Sequence, residues 1–155
     1  MTMKALAHPY RLAWLFAGLL LASLALAGWP SEAESAPEFR ILVHPENPSA
    51  ALDREFVADV YLKRVTRWPD GQTVRPVDQQ ASSAVRGRFS DVVLKRSVDA
   101  VRSYWQQRIF SGRDVPPPEA DSDLSVLRYV QENAGAIGYV SDAPSVQGVR
   151  VVTLK

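Results

Sequence analysis

The sequence predicts an α/β fold of the sandwich type, with a mixed, mostly parallel sheet. Three observations predict it. Short apolar runs at 39–44, 73–77, 136–140 and 149–154 have the length and the bounding turn residues of strands. Between them, apolar residues recur at helical spacing in four segments. Strands interspersed with helices bury both kinds of apolar face only by layering helices on a sheet, with some crossover pairing.

In chain order, "FRILVH" at 39–44 reads as a buried strand. "PENPSA" follows as a loop, with Ser49 as a helix cap. Leu52, Phe56, Val57, Val60, Tyr61 and Val65 mark an amphipathic helix over 52–65. Pro69, Asp70 and Gly71 supply a turn. "TVRPV" is a second strand, placed at an edge because Pro76 has no N–H to donate. Val85, Phe89 and Val92 mark a helix over 83–95, and Val98, Val101, Trp105 and Ile109 one over 98–110. Both Tyr104 and Trp105 fall near that second stripe and are expected in the core. "SGRDVPPPEADSD" breaks the chain. Leu124, Leu127 and Val130 mark a last helix starting near Ser122 or Asp123, and "AIGYV" and "VRVVTL" close the domain.

The first 27 of the 155 residues have a different character. Lys4, His8 and Arg11 precede an uncharged run from Leu12 to Gly28 that ends in Ala25-Leu26-Ala27. A basic start, an apolar centre and small residues at the cleavage positions predict a signal peptide over 1–27. The alternative is an uncleaved anchor, since the run approaches the length of a span. Residues 28–38 read as a flexible leader, and 39–155 as one domain. Export predicts a periplasmic location. After cleavage no membrane span is expected. The chain has no cysteine, which rules out disulfides and thiolate chemistry. The formal net charge of +1 falls to near balance without Lys4 and Arg11, so nucleic acid is not an expected partner.

No motif for a nucleophile with its base, a Walker loop or a dinucleotide turn is present, and His44 is the one histidine after the signal segment. No enzyme activity and no cofactor are expected. Asp121 and Asp123 flank a helix start and are expected to cap it rather than form a carboxylate pair. The more informative stretch is "DQQASSAVRGRF" at 78–89. If a helix begins at Ser82 or Ser83, its first N–H groups lack intrahelical partners and face the end of the preceding strand, where open sheets bind ligands. Such groups take phosphate-like anions. Arg86, one turn in, leans back toward that helix start and can pair with an oxyanion. The alternative is that the serine only caps the helix and that Arg86 and Arg88 are solvated.

"LDREFVADVYLKRVTRWPDGQTVRPVD", "YWQQRIFSG" and "VLRYVQENAGAIGYV" together resemble the phosphate-type periplasmic substrate-binding proteins of ABC transporters. The order and spacing of the three blocks carry the resemblance, over about 39–154. It implies a periplasmic-binding-protein-like three-layer sandwich, reduced here to a single lobe, that binds an oxyanion without catalysis. It implies ligand contacts at Ser82 and Ser83, in the place of the family's Ser-Gly-Thr helix start, with Arg86 beside them and Asn47 from the loop after the first strand. A small phosphate-like anion and an envelope or transporter protein are the implied partners. Two departures are visible: "ASSA" lacks the glycine of that helix start, and the mature chain is about half the family's length. The alternative is an envelope interaction module of the same fold without a ligand.

Overall fold

The computed structural model describes residues 38–142 and 145–155. The signal peptide expected at 1–27, and all of the leader but Glu38, lie outside the described residues. The elements run β1 (Phe39–Val43), β2 (Ala51–Leu52), α1 (Arg54–Tyr61), β3 (Arg75–Pro76), β4 (Asp78–Gln79), α2 (Ala84–Phe89), a π-helical turn (Ser90–Leu94), α3 (Val98–Phe110), β5 (Glu119–Ala120), α4 (Asp123–Glu132), β6 (Ala136–Ser141) and β7 (Arg150–Leu154).

Five strands form one sheet in the order β2-β7-β1-β6-β3, and β4 pairs with β5 beside it. β1 sits at the centre, antiparallel to β6 and β7. The pairings β2 with β7, β3 with β6 and β4 with β5 are parallel. The five-stranded sheet is therefore mixed, with two of its four pairings parallel, and the β4–β5 pair beside it is parallel as well. β3 lies at an edge, where Pro76 costs no ladder bond.

Alternation along the strands creates two cores. Ile41 and Val43 of β1, with Ile137 and Tyr139 of β6, face α1, α2, the π turn and α3. Leu42, Ala136 and Val140 face the opposite way, onto Val126, Leu127 and Val130 of α4. A period of two along each strand thus feeds helices on both faces, which is the three-layer sandwich. Gly138 is the close approach on the α4 side: a Cβ there would lie 2.6 Å from a methyl of Val126.

Several expectations shift by a few residues. Ser49 does not cap a helix. Ala51 and Leu52 instead pair with Thr153 and Leu154, and α1 starts one residue after Asp53. It stops at Tyr61 rather than Val65 because Lys63 turns left-handed, at φ 52°. The helix expected over 83–95 ends in a π turn. That wider turn puts Val93 and Leu94 in the core and leaves Val92 half-buried. Ile109 and Leu124, expected on buried stripes, are 50 % and 64 % exposed. Trp105 is buried as expected, and the Tyr104 hydroxyl donates to Leu62 O at 2.8 Å.

The "AGAIGYV" turn shows why its first glycine is needed. Gly135 has φ +80°, and a Cβ there would lie 2.3 Å from Thr73 O. Its carbonyl accepts from Trp68 Nε1 at 2.9 Å and from Arg75 N at 3.0 Å. Gly135→Ala combines left-handed strain with a backbone clash. We expect it to cost about 2 kcal/mol or more, a fall in Tm of about 10 °C. A thermal melt of the variant within 3 °C of the parent would contradict this.

Candidate functional site

The polar residues of the 78–89 stretch gather at one end of the sheet. Val77 N donates to Ile137 O, so the chain leaving β3 runs alongside β6. This brings Asp78 and Gln79 beside Tyr139, and both are buried. Ser83 then caps α2, its Oγ accepting from Arg86 N at 3.4 Å. Arg86 lies in the first turn of α2, and its side chain returns to the strand it left because helical side chains lean toward the N-terminus.

Arg86 is only 4 % exposed. Its Nη1 pairs with Asp78 Oδ2 and donates to Gln79 O at 2.8 Å. Its Nε is buried and donates to no group among the described residues. Asp78 Oδ1 accepts from the Tyr139 hydroxyl and from Gln79 N. Burial pushes the Asp78 carboxyl up from its ordinary pKa and outweighs the opposing pull of Arg86. Burial also holds the Tyr139 hydroxyl well above the usual tyrosine range, reinforced by the Asp78 charge.

Amide and carboxylate groups behind it fix this cluster. Gln79 Nε2 donates to Asp123 Oδ1 at 2.7 Å and to Tyr139 O at 3.1 Å, while its Oε1 accepts from Ser83 Oγ at 2.6 Å. Asp123 Oδ2 accepts from Ser141 N and Oγ. Asp123 therefore orients Gln79 and does not cap α4. Ser122 takes the cap, and Asp121 accepts from the Ser122 and Ser125 hydroxyls. Those two hydroxyls hold the Asp121 carboxyl below its ordinary pKa.

A hollow of about 190 Å³ opens beside the ion pair. Asp78, Ala81 and Arg86 line one side of it. Val98, Trp105 and Ile109 of α3, with Pro116 and Pro117, line the other, and Arg102, Gln106 and Glu119 complete the lining. It lies beyond the C-terminal end of β3, the end of a parallel strand where ligands collect in sheets of this kind.

Of the four residues grouped from sequence, Arg86 alone lines this hollow. Ser83 is the helix cap and its hydroxyl is engaged with Gln79 and Arg86 N. Ser82 is exposed on the turn before it. Asn47 is at the opposite end of the sheet. β1 and β6 are antiparallel, with Phe39 opposite Ser141 and Val43 opposite Ile137. Asn47 follows Val43, whereas Gln79 lies near Tyr139 and Ser141. Asn47 lines a separate hollow with Pro48, Ser49, Trp68 and Pro69, and its Oδ1 accepts from Ser49 N at 2.9 Å. It cannot share a ligand with Arg86. Sequence reasoning missed Asp78, Gln79 and Asp123. Their signal was faint: an acid and an amide directly after an apolar run, with no sign of which partners the fold supplies.

Among the described residues no group of histidine, aspartate and glutamate could hold a metal ion, and no helix is long and apolar enough to cross a membrane. No family model and no curated protein matches the sequence. Solved structures match its fold. A protein of Clostridium perfringens named as a phosphate ABC transporter substrate-binding protein, with bound phosphate, superposes with a TM-score of 0.61 at 20% identity, over 76% of this chain and 45% of that one. An ABC-type phosphate transport receptor from Vibrio cholerae gives 0.58 at 19% identity, over 76% and 46%. PstS from Borrelia burgdorferi gives 0.60 at 10% identity, over 77% and 47%. The fold is thus a single-lobe periplasmic-binding-protein-like sandwich whose structural neighbours are phosphate-type substrate-binding proteins. The chain spans less than half the length of those neighbours.

Proposed function

We propose that the protein binds a small phosphate-type oxyanion without catalysis, in the cell envelope, as a substrate-binding-like component of phosphate uptake. One observation carries the proposal: a nearly fully buried arginine, paired with Asp78 through Nη1, lines a hollow at the strand end of a fold shared with phosphate-binding proteins. A guanidinium carries five N–H donors in a planar fork, and an oxyanion in the hollow offers charged acceptors to those that face it. In this reading Arg86 is the principal contact. Ser83 and Gln79 hold its position, and Ser82 sits at the open edge of the same helix start. Export by the N-terminal apolar segment places the protein in the periplasm, where a transporter is its partner.

Asp78 narrows the ligand. A carboxylate beside the anion repels a fully ionised guest, whereas an oxyanion that keeps one proton can donate it to Asp78. Phosphate qualifies near neutral pH and sulfate does not. Calorimetric titration tests this. Phosphate is expected to bind, with sulfate at least tenfold weaker. Arg86→Lys keeps a cation against Asp78 but loses the planar fork, and should weaken phosphate binding by about 1–3 kcal/mol. A wild-type protein that gives no heat and no thermal shift with millimolar phosphate would refute the proposal. The interaction module of the same fold would then stand in its place.

A further inference from the structure

The hollow beside Arg86 is larger and more apolar than inorganic phosphate requires. Its volume of about 190 Å³ exceeds what a five-heavy-atom anion occupies. The charged end is built by Arg86 and Asp78. Facing them are Val98, Trp105 and Ile109 on one side of α3, and Pro116 and Pro117 from the loop that follows. A bare oxyanion would leave these walls in contact with water or empty space. Apolar surface in that position is satisfied by apolar ligand atoms, which gain by leaving water together with the walls.

Resting on the oxyanion reading above, we infer that the ligand class is an organic phosphate or phosphonate bearing one small apolar substituent, its oxyanion on Arg86 and its substituent against Trp105, Ile109 and the two prolines. The geometry sets the orientation. Nη1 of Arg86 is already held by Asp78 and Gln79, so the anion meets the part of the guanidinium that lines the hollow. The remaining proton of the monoanion donates to Asp78. The substituent then points toward α3. The volume also bounds it: drug-sized ligands occupy pockets of roughly 300–1,000 Å³, so this hollow takes one ring or a short branched chain and no nucleoside. Ile109 is half exposed at the rim, which leaves the hollow open to entry from solvent.

The experiment titrates the full chain with inorganic phosphate and with phenylphosphonate, following the Trp105 indole N–H by heteronuclear NMR. The inference predicts that phenylphosphonate binds at least tenfold tighter than phosphate and shifts the Trp105 signal, while phosphate alone barely moves it. Ile109→Ser removes part of the apolar wall at a half-exposed position. It should reduce that preference at least threefold. Equal affinity for the two ligands overturns the inference and leaves the oxyanion reading intact. An unchanged preference in the Ile109→Ser variant also overturns it. Failure of both ligands to bind removes the oxyanion reading and the inference together.

Discussion

Replacing Asp78 with alanine is expected to lower the unfolding free energy by about 3–5 kcal/mol. The size follows from what is left behind. Asp78 and Arg86 are each about 4 % exposed, and Asp78 Oδ2 is the one carboxylate oxygen paired with the guanidinium. Removing it leaves the buried guanidinium, still bonded to Gln79 O, without that counter-charge. A buried pair is therefore far more costly to break than it was worth to make. Arg86→Met should cost a similar amount for the mirror reason. The double variant Asp78→Ala/Arg86→Met removes both charges and should cost less than the two single changes added together, by 1 kcal/mol or more. Urea denaturation of the four proteins measures this coupling. Additive losses would mean that the pair is not the interaction it is taken to be.

The pH dependence of the same group has a defined sign. Burial raises the folded-state pKa of Asp78 above its unfolded value, near 3.9. The folded protein then holds this proton at pH values where the unfolded chain has released it. The stabilisation from that proton is fully present below the unfolded pKa. It is lost as pH rises through the folded pKa. Asp78→Asn cannot titrate. The stability of the parent relative to this variant should therefore decline as pH rises from about 4 toward neutrality. A relative stability that increases over that range would show that Arg86 outweighs burial.

The second large effect concerns Phe89. Its ring is fully buried and stacks on Tyr139 at 3.9 Å between centroids and 3° between planes. Tyr61 approaches it at 4.7 Å and Phe39 edge-on at 5.6 Å. This four-ring cluster joins α1, α2, β1 and β6. Phe89→Ala leaves a cavity in its middle and is expected to cost about 3–5 kcal/mol. The Tyr61 hydroxyl donates to Val77 O at 2.9 Å, and the Tyr139 hydroxyl holds Asp78, so the rings carry the polar site on their backs. Near-UV circular dichroism should weaken along with the loss in denaturation midpoint, and Phe89→Leu should recover more than half of the stability. A loss below 1 kcal/mol for the alanine variant would show that the neighbouring rings collapse into the gap.

Much of this fold was legible in the chain. The buried runs "FRILVH" and "AIGYV" became the two central strands because a continuous apolar run has no other place to go. Pro76 foretold an edge strand because it lacks a donor. Ser83, one of the two serines expected at its helix start, is the cap, since capping is a local bond between a side chain and an amide three residues on; at α4 the cap expected of Asp121 or Asp123 falls to Ser122. The two-residue strands were not legible. Ala51 and Leu52 become a strand only because Thr153 and Leu154 arrive beside them, about a hundred residues later. Nor was the exposure of Ile109, because helical spacing says which residues share a stripe and not where its cover ends.

The site divides in the same way. The residue types at 78–89 pointed to an anion from local rules: a helix start, hydroxyls and an arginine one turn in. Whether that arginine is solvated or buried, and which acid faces it, depended on the antiparallel register of β1 and β6 and the parallel docking of β3. Those pairings carry Asp78, Gln79 and Tyr139 to Arg86 and send Asn47 to the far end of the sheet. By itself the sequence determined the layered α/β class, a serine at the helix start near 82–83 and an arginine near a strand end, since each follows from spacing or from bonds a few residues long. Only the tertiary structure decided that this arginine is buried against Asp78 and looks into an apolar hollow, because electrostatic partners and walls come from segments that chain order leaves far apart.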